Sequence, residues 1–209
     1  MGIPVSLPNV TVCFPHIFKP HAAPGSDKEK FSVESLLDPM NPEHQGILTQ
    51  LDAAYAKVLH EAGKADMIGV FPKPYRTEDE VTQARALKGK GPRPELAGKV
   101  LVRASNGNSK PPVVDQNVQP ILDQLAIFSG CVCNVMVDVY YYGQSANPGV
   151  FCGLNGVQLI NNVGVERLGG GPPSADSMFN KVAGPPANPA PPTFQPTGAP
   201  AADKPSWMS

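Results

Sequence analysis

Basic and aromatic side chains are interleaved through the middle of this chain. The basic residues of this middle block are Lys73, Arg76, Arg85, Lys88, Lys90, Arg93, Lys99, Arg103 and Lys110. Phe71 and Tyr75 lie among them. Positive charges can follow a phosphate backbone, and flat rings offer unpaired bases a surface on which to stack. The block therefore indicates sequence-tolerant nucleic-acid binding. The alternative is a solvated charged surface whose aromatics lie at the rim of a core.

The overall charge of the chain hides this block. The 209 residues carry a formal net charge of -1 at pH 7. Residues 64–110 hold 10 basic and 5 acidic side chains, whereas residues 1–63 hold 4 and 7, and residues 111–209 hold 3 and 6. The positive charge is therefore concentrated in one middle segment.

Other residue patterns that could do chemistry are incomplete. Cys13 and His16 have the spacing of metal ligands, but no second pair follows at the distance of a zinc finger. The stretch LGGGPP lacks the strand-to-helix frame of a phosphate loop, and no catalytic signature is present. We therefore predict no enzyme, no metal and no cofactor. The four cysteines have no repeated spacing and are expected to be reduced thiols, with Cys131 and Cys133 buried beside valines.

The stretch GCVCNVMVDVYYYG (residues 130–143) predicts the strand around which the domain is built. Side chains alternate between the two faces of a strand, and the odd positions form an unbroken apolar set from Cys131 to Tyr141. The even positions are mixed and end in Tyr140 and Tyr142. A sheet with one wet face is usually antiparallel. The two tyrosines of the wet face are therefore candidates for stacking against bases.

The preceding segments predict an antiparallel hairpin and one amphipathic helix. Residues 10–18 and 31–37 are strand formers on either side of a glycine-containing loop, and Pro15 should place an edge or a bulge in the first strand. Asn41 is a good helix cap in front of a run of apolar residues at helical spacing. Gly63 is a natural stop for that helix.

The segments after the helix are less regular. Residues 64–98 are predicted to be a basic insertion, of which residues 88–98 form an irregular loop. Residues 99–105 read as a strand, while residues 117–125 fit either a short helix or an extended linker. Residues 150–160 can pair back on the central strand, and their glycines allow a bulge.

The end of the chain has the composition of a tail. Residues 184–209 contain 8 prolines in 26 residues and almost no aliphatic core formers, so we expect them to be disordered. Asp203 is opposed by Lys204, which makes the tail a weak competitor for a basic groove, and Trp207 is a candidate anchor for a partner protein. No apolar run approaches the roughly 20 residues of a membrane span. The first residues do not resemble a secretory signal, so we expect an intracellular protein.

Several motifs follow one another in a characteristic order: SKPPVVD at residues 109–115, FSGC at 128–131 and GVFCGLNGVQLI at 149–160. The stretches VTVCFPHIFKP and KFSVESLLDP come before them, and SADSMF comes after. In this order, the chain resembles a family of bacteriophage single-stranded DNA-binding proteins first catalogued as a domain of unknown function. The resemblance implies an OB-fold, a small Greek-key barrel that holds single strands across one face. The chain departs from the wider phage and bacterial pattern because its tail is not strongly acidic.

We therefore predict a mainly β, α+β domain at residues 1–183, with one clear helix and an OB-fold-like antiparallel Greek-key barrel, followed by the disordered tail at 184–209. Arg103 and Lys99 should contact phosphates, and residues 88–93 should act as a basic flap. Phe71 and Tyr75 belong either to stacking or to the core. The full set of residues predicted to bind DNA is Lys99, Arg103, Tyr140, Tyr142, Lys88, Lys90, Arg93, Lys110, Phe71 and Tyr75.

The predicted function is that of a non-enzymatic protein that coats and protects single-stranded DNA during phage DNA replication, recombination or repair. It would act in the cytoplasm of the infected host cell, away from membranes, as a monomer or a homodimer. Replication or recombination proteins could be recruited through Trp207. The alternative is a structural or assembly protein of a virus particle.

Overall fold

The computed structural model describes residues 2–22, 25–144 and 148–168. Seven strands and two α-helices lie within these ranges. In chain order they are β1 (Ile3–Ala22), β2 (Glu29–Leu37), α1 (Pro42–Glu61), β3 (Tyr75–Thr77), α2 (Glu78–Ala86), β4 (Val100–Asn106), β5 (Val113–Val114), β6 (Val132–Tyr142) and β7 (Gly149–Asn161). The tail predicted at residues 184–209 lies outside the described residues.

Five of the strands close into a barrel. Strand β1 pairs antiparallel with β2 and with β6, β2 pairs with β4, and β6 pairs with β7. A short parallel pairing between β4 and β7, at Ala104–Cys152 and Ser105–Gly153, joins the two ends of the sheet. The ring order β1-β2-β4-β7-β6 is that of an OB-fold barrel, so the predicted fold class is confirmed. The short strands β3 and β5 extend the sheet beside β4 and β7.

The central strand has the alternation that its sequence predicts. The odd residues of β6 point into the barrel, where Cys133, Val135, Val137 and Val139 are fully buried. The even residues point outward and are partly or fully exposed. Because the side-chain period of a strand is two, this pattern also determines which face of β6 meets solvent.

Helix α1 packs against the barrel core and follows the predicted signals closely. The Asn41 side chain accepts a hydrogen bond from the backbone N–H of Glu43 at 2.9 Å, and Gly63 follows the last turn with a φ of 66°. The inward face of α1 buries Leu51, Tyr55 and Leu59 against the strands. No helix in the described part of the chain is long and apolar enough to cross a bilayer.

Strand β1 is 20 residues long, about twice the predicted length. The strand pairs with two others along its length: residues Ile3 to Thr11 pair with β6, and residues Thr11 to Ala22 pair with β2. An edge or a bulge was predicted at Pro15, and the structure has a bulge there, since the register with β2 breaks between Cys13 and His16. Such a bulge bends a strand and allows it to wrap around a small barrel.

The insertion at residues 64–98 is more ordered than its composition indicates. It contains α2, which was not predicted, so the domain has two α-helices in its described part where one was expected. The missed signal is a capping box, in which the Thr77 hydroxyl accepts from Glu80 N–H while the Glu80 carboxylate accepts from Thr77 N–H. The undecided residues 117–125 contain turns and no helix.

All four cysteines are unpaired and buried, as expected for reduced structural thiols. Burial raises the pKa of Cys13 to about 11 and the pKa of Cys133 and Cys152 to about 12. Burial also raises the pKa of Cys131. A thiol reacts as its thiolate, so these side chains are protected both by their chemistry and by their position.

We expect the native protein to be unreactive toward a thiol reagent such as DTNB at about pH 8, near the ordinary thiol pKa. In denaturant, all four cysteines should react, because unfolding removes the burial that raises each pKa. The measurement is the absorbance of released thionitrobenzoate with time, with and without denaturant. Rapid modification of any thiol in the native protein would contradict the burial described here.

Candidate nucleic-acid interface

A broad groove of about 1120 Å³ runs along one side of the barrel. Its floor includes the outward face of β4, and one wall comes from the insertion around β3 and α2. The start of β2 and the neighbouring ends of β6 and β7 complete it. In OB-folds this strand face, together with the loops between strands one and two and between four and five, is the region that binds oligonucleotides.

The groove concentrates the positive charge of the chain. Nine basic side chains line it, against two acidic ones among the described residues. The basic ones are Lys28, Lys30, Lys73, Arg76, Arg85, Lys88, Lys90, Arg93 and Arg103. They make up more than half of the 17 lysines and arginines of a chain whose net charge is -1. A cleft with one sign of charge focuses the electrostatic field and attracts an anionic polymer.

Arg103 reaches the groove through the alternation of β4. Val102 and Ala104 point into the barrel, while Leu101 and Arg103 point outward. Helix α2 helps to cover Leu101, which belongs to a small second apolar cluster with Val81. The Arg103 side chain is exposed and forms no salt bridge with the described residues, so its guanidinium is available to a phosphate.

Aromatic rings lie at the β6 and β7 side of the groove. Tyr140 and Phe151 are cross-strand partners whose ring centroids are 6.2 Å apart, and Tyr142 also lines the groove. Tyr142 and Phe151 are 45% and 43% exposed, which is enough for a base to contact their rings. Burial raises the pKa of Tyr140, so its phenol stays uncharged at neutral pH and does not repel phosphate.

Phe151 was not predicted to bind DNA, although the sequence contains a signal for it. Cys152 and Leu154 are inward residues of β7, so their odd-numbered neighbour Phe151 must point outward. The strand was predicted, but its register relative to β6 was not. Only that register places Phe151 beside Tyr140.

Two other predicted aromatics have different positions. Tyr75 lines the groove, and its hydroxyl is held between Lys73, which donates to it at 2.8 Å, and Asp52, which accepts from it at 2.9 Å. Phe71 packs against the barrel core and against Tyr141, with ring centroids 5.7 Å apart. Phe71 therefore has a packing role in this structure and does not line the groove.

Arg93 is engaged with protein carboxylates. Its guanidinium donates to Glu34 at 2.6 Å and to Glu95 at 2.8 Å. The same group lies 4.9 Å from the centre of the Phe14 ring. The Arg93 side chain is only 9% exposed. Burial alone would raise the pKa of Glu95, but backbone hydrogen bonds and Arg93 outweigh it and lower that pKa. Arg93 thus connects the predicted flap at residues 88–93 to Glu34 in β2. Lys88 and Lys90 of the same flap are exposed and can contact a ligand.

Lys99 and Lys110, which were both predicted to bind DNA, do not line the groove. Lys99 precedes β4, and its N–H donates to Leu96 O at 2.8 Å, so it belongs to the turn before the strand. The Lys110 ammonium lies 5.7 Å from the centre of the Phe18 ring. Both lysines lie beyond the ends of β4, and their binding to DNA stays a prediction.

This chain has a closed OB-fold barrel with a basic, aromatic-lined groove on its strand face. These features are typical of OB domains that bind oligonucleotides. Residues 3–185 match the family described as the single-stranded DNA-binding protein of Enterobacter phage Enc34, and the chain belongs to this family. The family resemblance recognised in the sequence is thereby confirmed.

Individual relatives are distant in sequence. Protein p50 of Acyrthosiphon pisum secondary endosymbiont phage 1 is 27% identical over 182 residues, which cover 83% of this chain and 91% of p50. The solved structure of the Enc34 protein in complex with single-stranded DNA has a TM-score of 0.63 at 16% identity, over 79% of this chain and 89% of that one. Bacteriophage T7 gp2.5, also a single-stranded DNA-binding protein, has a TM-score of 0.52 at 12% identity, over 88% and 97%. The two structures share the fold.

Proposed function

We propose that this protein binds single-stranded DNA and coats it during phage DNA replication, recombination or repair, largely without regard to sequence. The observation that carries the proposal is the groove, which is lined by nine basic side chains together with the aromatic pair Tyr140 and Phe151. Membership in the Enc34 family and the described functions of two structural neighbours support it.

The groove suits a single strand for a physical reason. Arg76, Arg103, Lys88 and Lys90 offer charge to phosphates from two sides, and their contacts release counterions from the strand. Rings on the β6 and β7 side offer flat surfaces to bases that are not already stacked in a duplex. Neither kind of contact depends on the identity of the base, so the part of the affinity that comes from the groove should vary little with sequence.

The domain bounds, the mode of action and the cellular location are also part of the proposed function. Residues 1–183 would form the binding domain, and the protein would act by binding rather than catalysis, inside the infected host cell. No group of three or more potential metal-ligating side chains occurs in the part of the chain that the structure describes. Recruitment of a replication or recombination protein by Trp207 concerns residues outside that part and stays a prediction.

The test is fluorescence anisotropy with labelled single-stranded DNA, duplex and RNA of equal length, at about 50 and 200 mM salt. We expect single strands to bind at least about tenfold more tightly than duplex. The logarithm of the affinity for single strands should fall by about 0.7 per phosphate contact for each tenfold increase in salt. Equal affinity for duplex and single strands would contradict the proposal. An assembly protein that uses apolar contacts would instead show little dependence on salt.

A further inference from the structure

A second, smaller pocket shares part of its lining with the groove. Its volume is about 240 Å³, which suits one nucleobase rather than a longer stretch of strand. Ser105, Gly107, Asn108 and Tyr140 line both this pocket and the groove. A strand that lies along the groove can therefore place a base in the second pocket without leaving the surface.

The lining of this pocket differs from that of the groove in its charge. Asp138 is its one ionisable carboxylate, and no lysine or arginine of the described residues lines it. A carboxylate repels phosphate, so the pocket is less suited to the backbone of a nucleic acid than the groove is. It is suited to a neutral group that carries N–H or O–H donors.

Asn106 of this lining is engaged, because its amide donates to Leu154 O at 3.1 Å, but other polar side chains of the pocket have no hydrogen-bond partner among the described residues. Among the described residues, none donates a hydrogen bond to the Asp138 carboxylate, and the side-chain amides of Asn108 and Asn155 form none. Asn155 is the extra residue of a bulge in β7, because Leu154 and Gly156 pair with consecutive residues of β6. Bulges redirect side chains, often at binding sites.

We propose that this pocket receives one base of the bound strand and favours guanine, with Asp138 as the residue that determines the preference. The inference rests on the proposed function. The open edge of guanine carries two adjacent donors, N1–H and the N2 amino group, and a carboxylate can accept both at once. Adenine and cytosine offer one amino group beside an acceptor nitrogen, and the N3–H of thymine lies between two carbonyl oxygens. Guanine is therefore the base that matches Asp138 with two hydrogen bonds.

The neighbouring residues support this geometry. A side chain on Gly2 would place its Cβ 2.9 Å from the Cβ of Asp138, so this glycine lies directly against the stem of the aspartate. The amides of Asn108 and Asn155 can donate to O6 of guanine, while Tyr140 lines the same pocket with its ring. The preference adds to an otherwise sequence-tolerant affinity, because one pocket reads only one base of each site.

The experiment compares strands of about 16 nucleotides, the upper range for one OB-fold. One contains only thymidine, the second has guanine at every third position, and the third has inosine at those positions. Lithium salts prevent quadruplex formation. We expect the guanine strand to bind the wild-type protein about tenfold more tightly than the thymidine strand. Inosine lacks the N2 amino group and should lose most of that advantage.

The variant Asp138→Asn should reduce the ratio of guanine to thymidine affinities toward one. The ratio is used because a variant that weakens binding to both strands equally leaves it unchanged. Glu29→Gln is the matched control, since it removes one negative charge from the groove but none from the second pocket, and its ratio should stay near that of the wild type. Equal affinity of the wild-type protein for all three strands would overturn the inference and leave the proposed function intact. A guanine advantage that persists in Asp138→Asn would overturn the role of Asp138. Failure to bind any of the strands would overturn the proposed function itself.

Discussion

Arg93→Ala is expected to lower the free energy of unfolding by about 3–5 kcal/mol, the usual cost of removing one partner from a buried ion pair. The side chains of Arg93, Glu34 and Glu95 are 9%, 14% and 10% exposed. Alanine at position 93 would leave two largely buried carboxylates without their cation and would release the loop at residues 88–98 from β2. The measurement is urea denaturation followed by circular dichroism.

Arg103→Ala is the matched control for this prediction. Arg103 lies on the same side of the sheet and opposite Glu34 in register, but it is exposed. Its loss should change stability by no more than about 0.5 kcal/mol. It should instead weaken single-strand binding and reduce the salt dependence by about 0.7 on the logarithmic scale. If the two variants are equally stable, the buried ion pair does not have the role assigned to it.

Acid should weaken the same ion pair. The pKa of Glu95 is lowered in the folded protein, so its carboxylate contributes stability above its ordinary pKa, and this contribution is lost as the pH falls through the lowered value. The stability difference between the wild type and Arg93→Ala should therefore shrink below about pH 4. A difference that stays constant with pH would contradict this linkage.

Tyr140→Ala and Phe151→Ala should each weaken single-strand binding by about 1–3 kcal/mol, the usual loss for one base stacked on an aromatic ring. Neither ring carries a charge at neutral pH, so the salt dependence should stay nearly unchanged. The measurement is fluorescence anisotropy over a series of salt concentrations. Their ring centroids are 6.2 Å apart, so the losses should be less than additive in the double variant if both rings contact the same base.

Tyr140→Phe is the matched control, because it keeps the ring and removes only the hydroxyl. It should bind single strands within about twofold of the wild type, while Tyr140→Ala does not. Circular dichroism of each variant distinguishes a lost stack from a lost fold. Unaltered binding by a folded Tyr140→Ala protein would show that this ring does not hold a base.

Local patterns in the sequence were sufficient for several elements. The apolar alternation of residues 130–143 predicted both β6 and its buried face, because a period of two depends only on neighbouring residues. The cap at Asn41 and the stop at Gly63 defined α1 in the same way. The order of short motifs was enough to recognise the family, and the family implied the barrel. Pro15 correctly indicated a bulge in β1.

Only the tertiary structure decided which candidates share the groove. Arg93 and Arg103 look alike in the sequence, but the pairing of β2 with β4 and the path of the loop at residues 88–98 bury one against Glu34 and leave the other exposed. Phe151 joins Tyr140 through the register of β7 with β6, and Lys99 belongs to the turn that precedes β4. These outcomes depend on contacts between residues far apart in the chain. A local pattern determines on which face of a strand a side chain lies, but its neighbours on that face are determined by how the barrel closes.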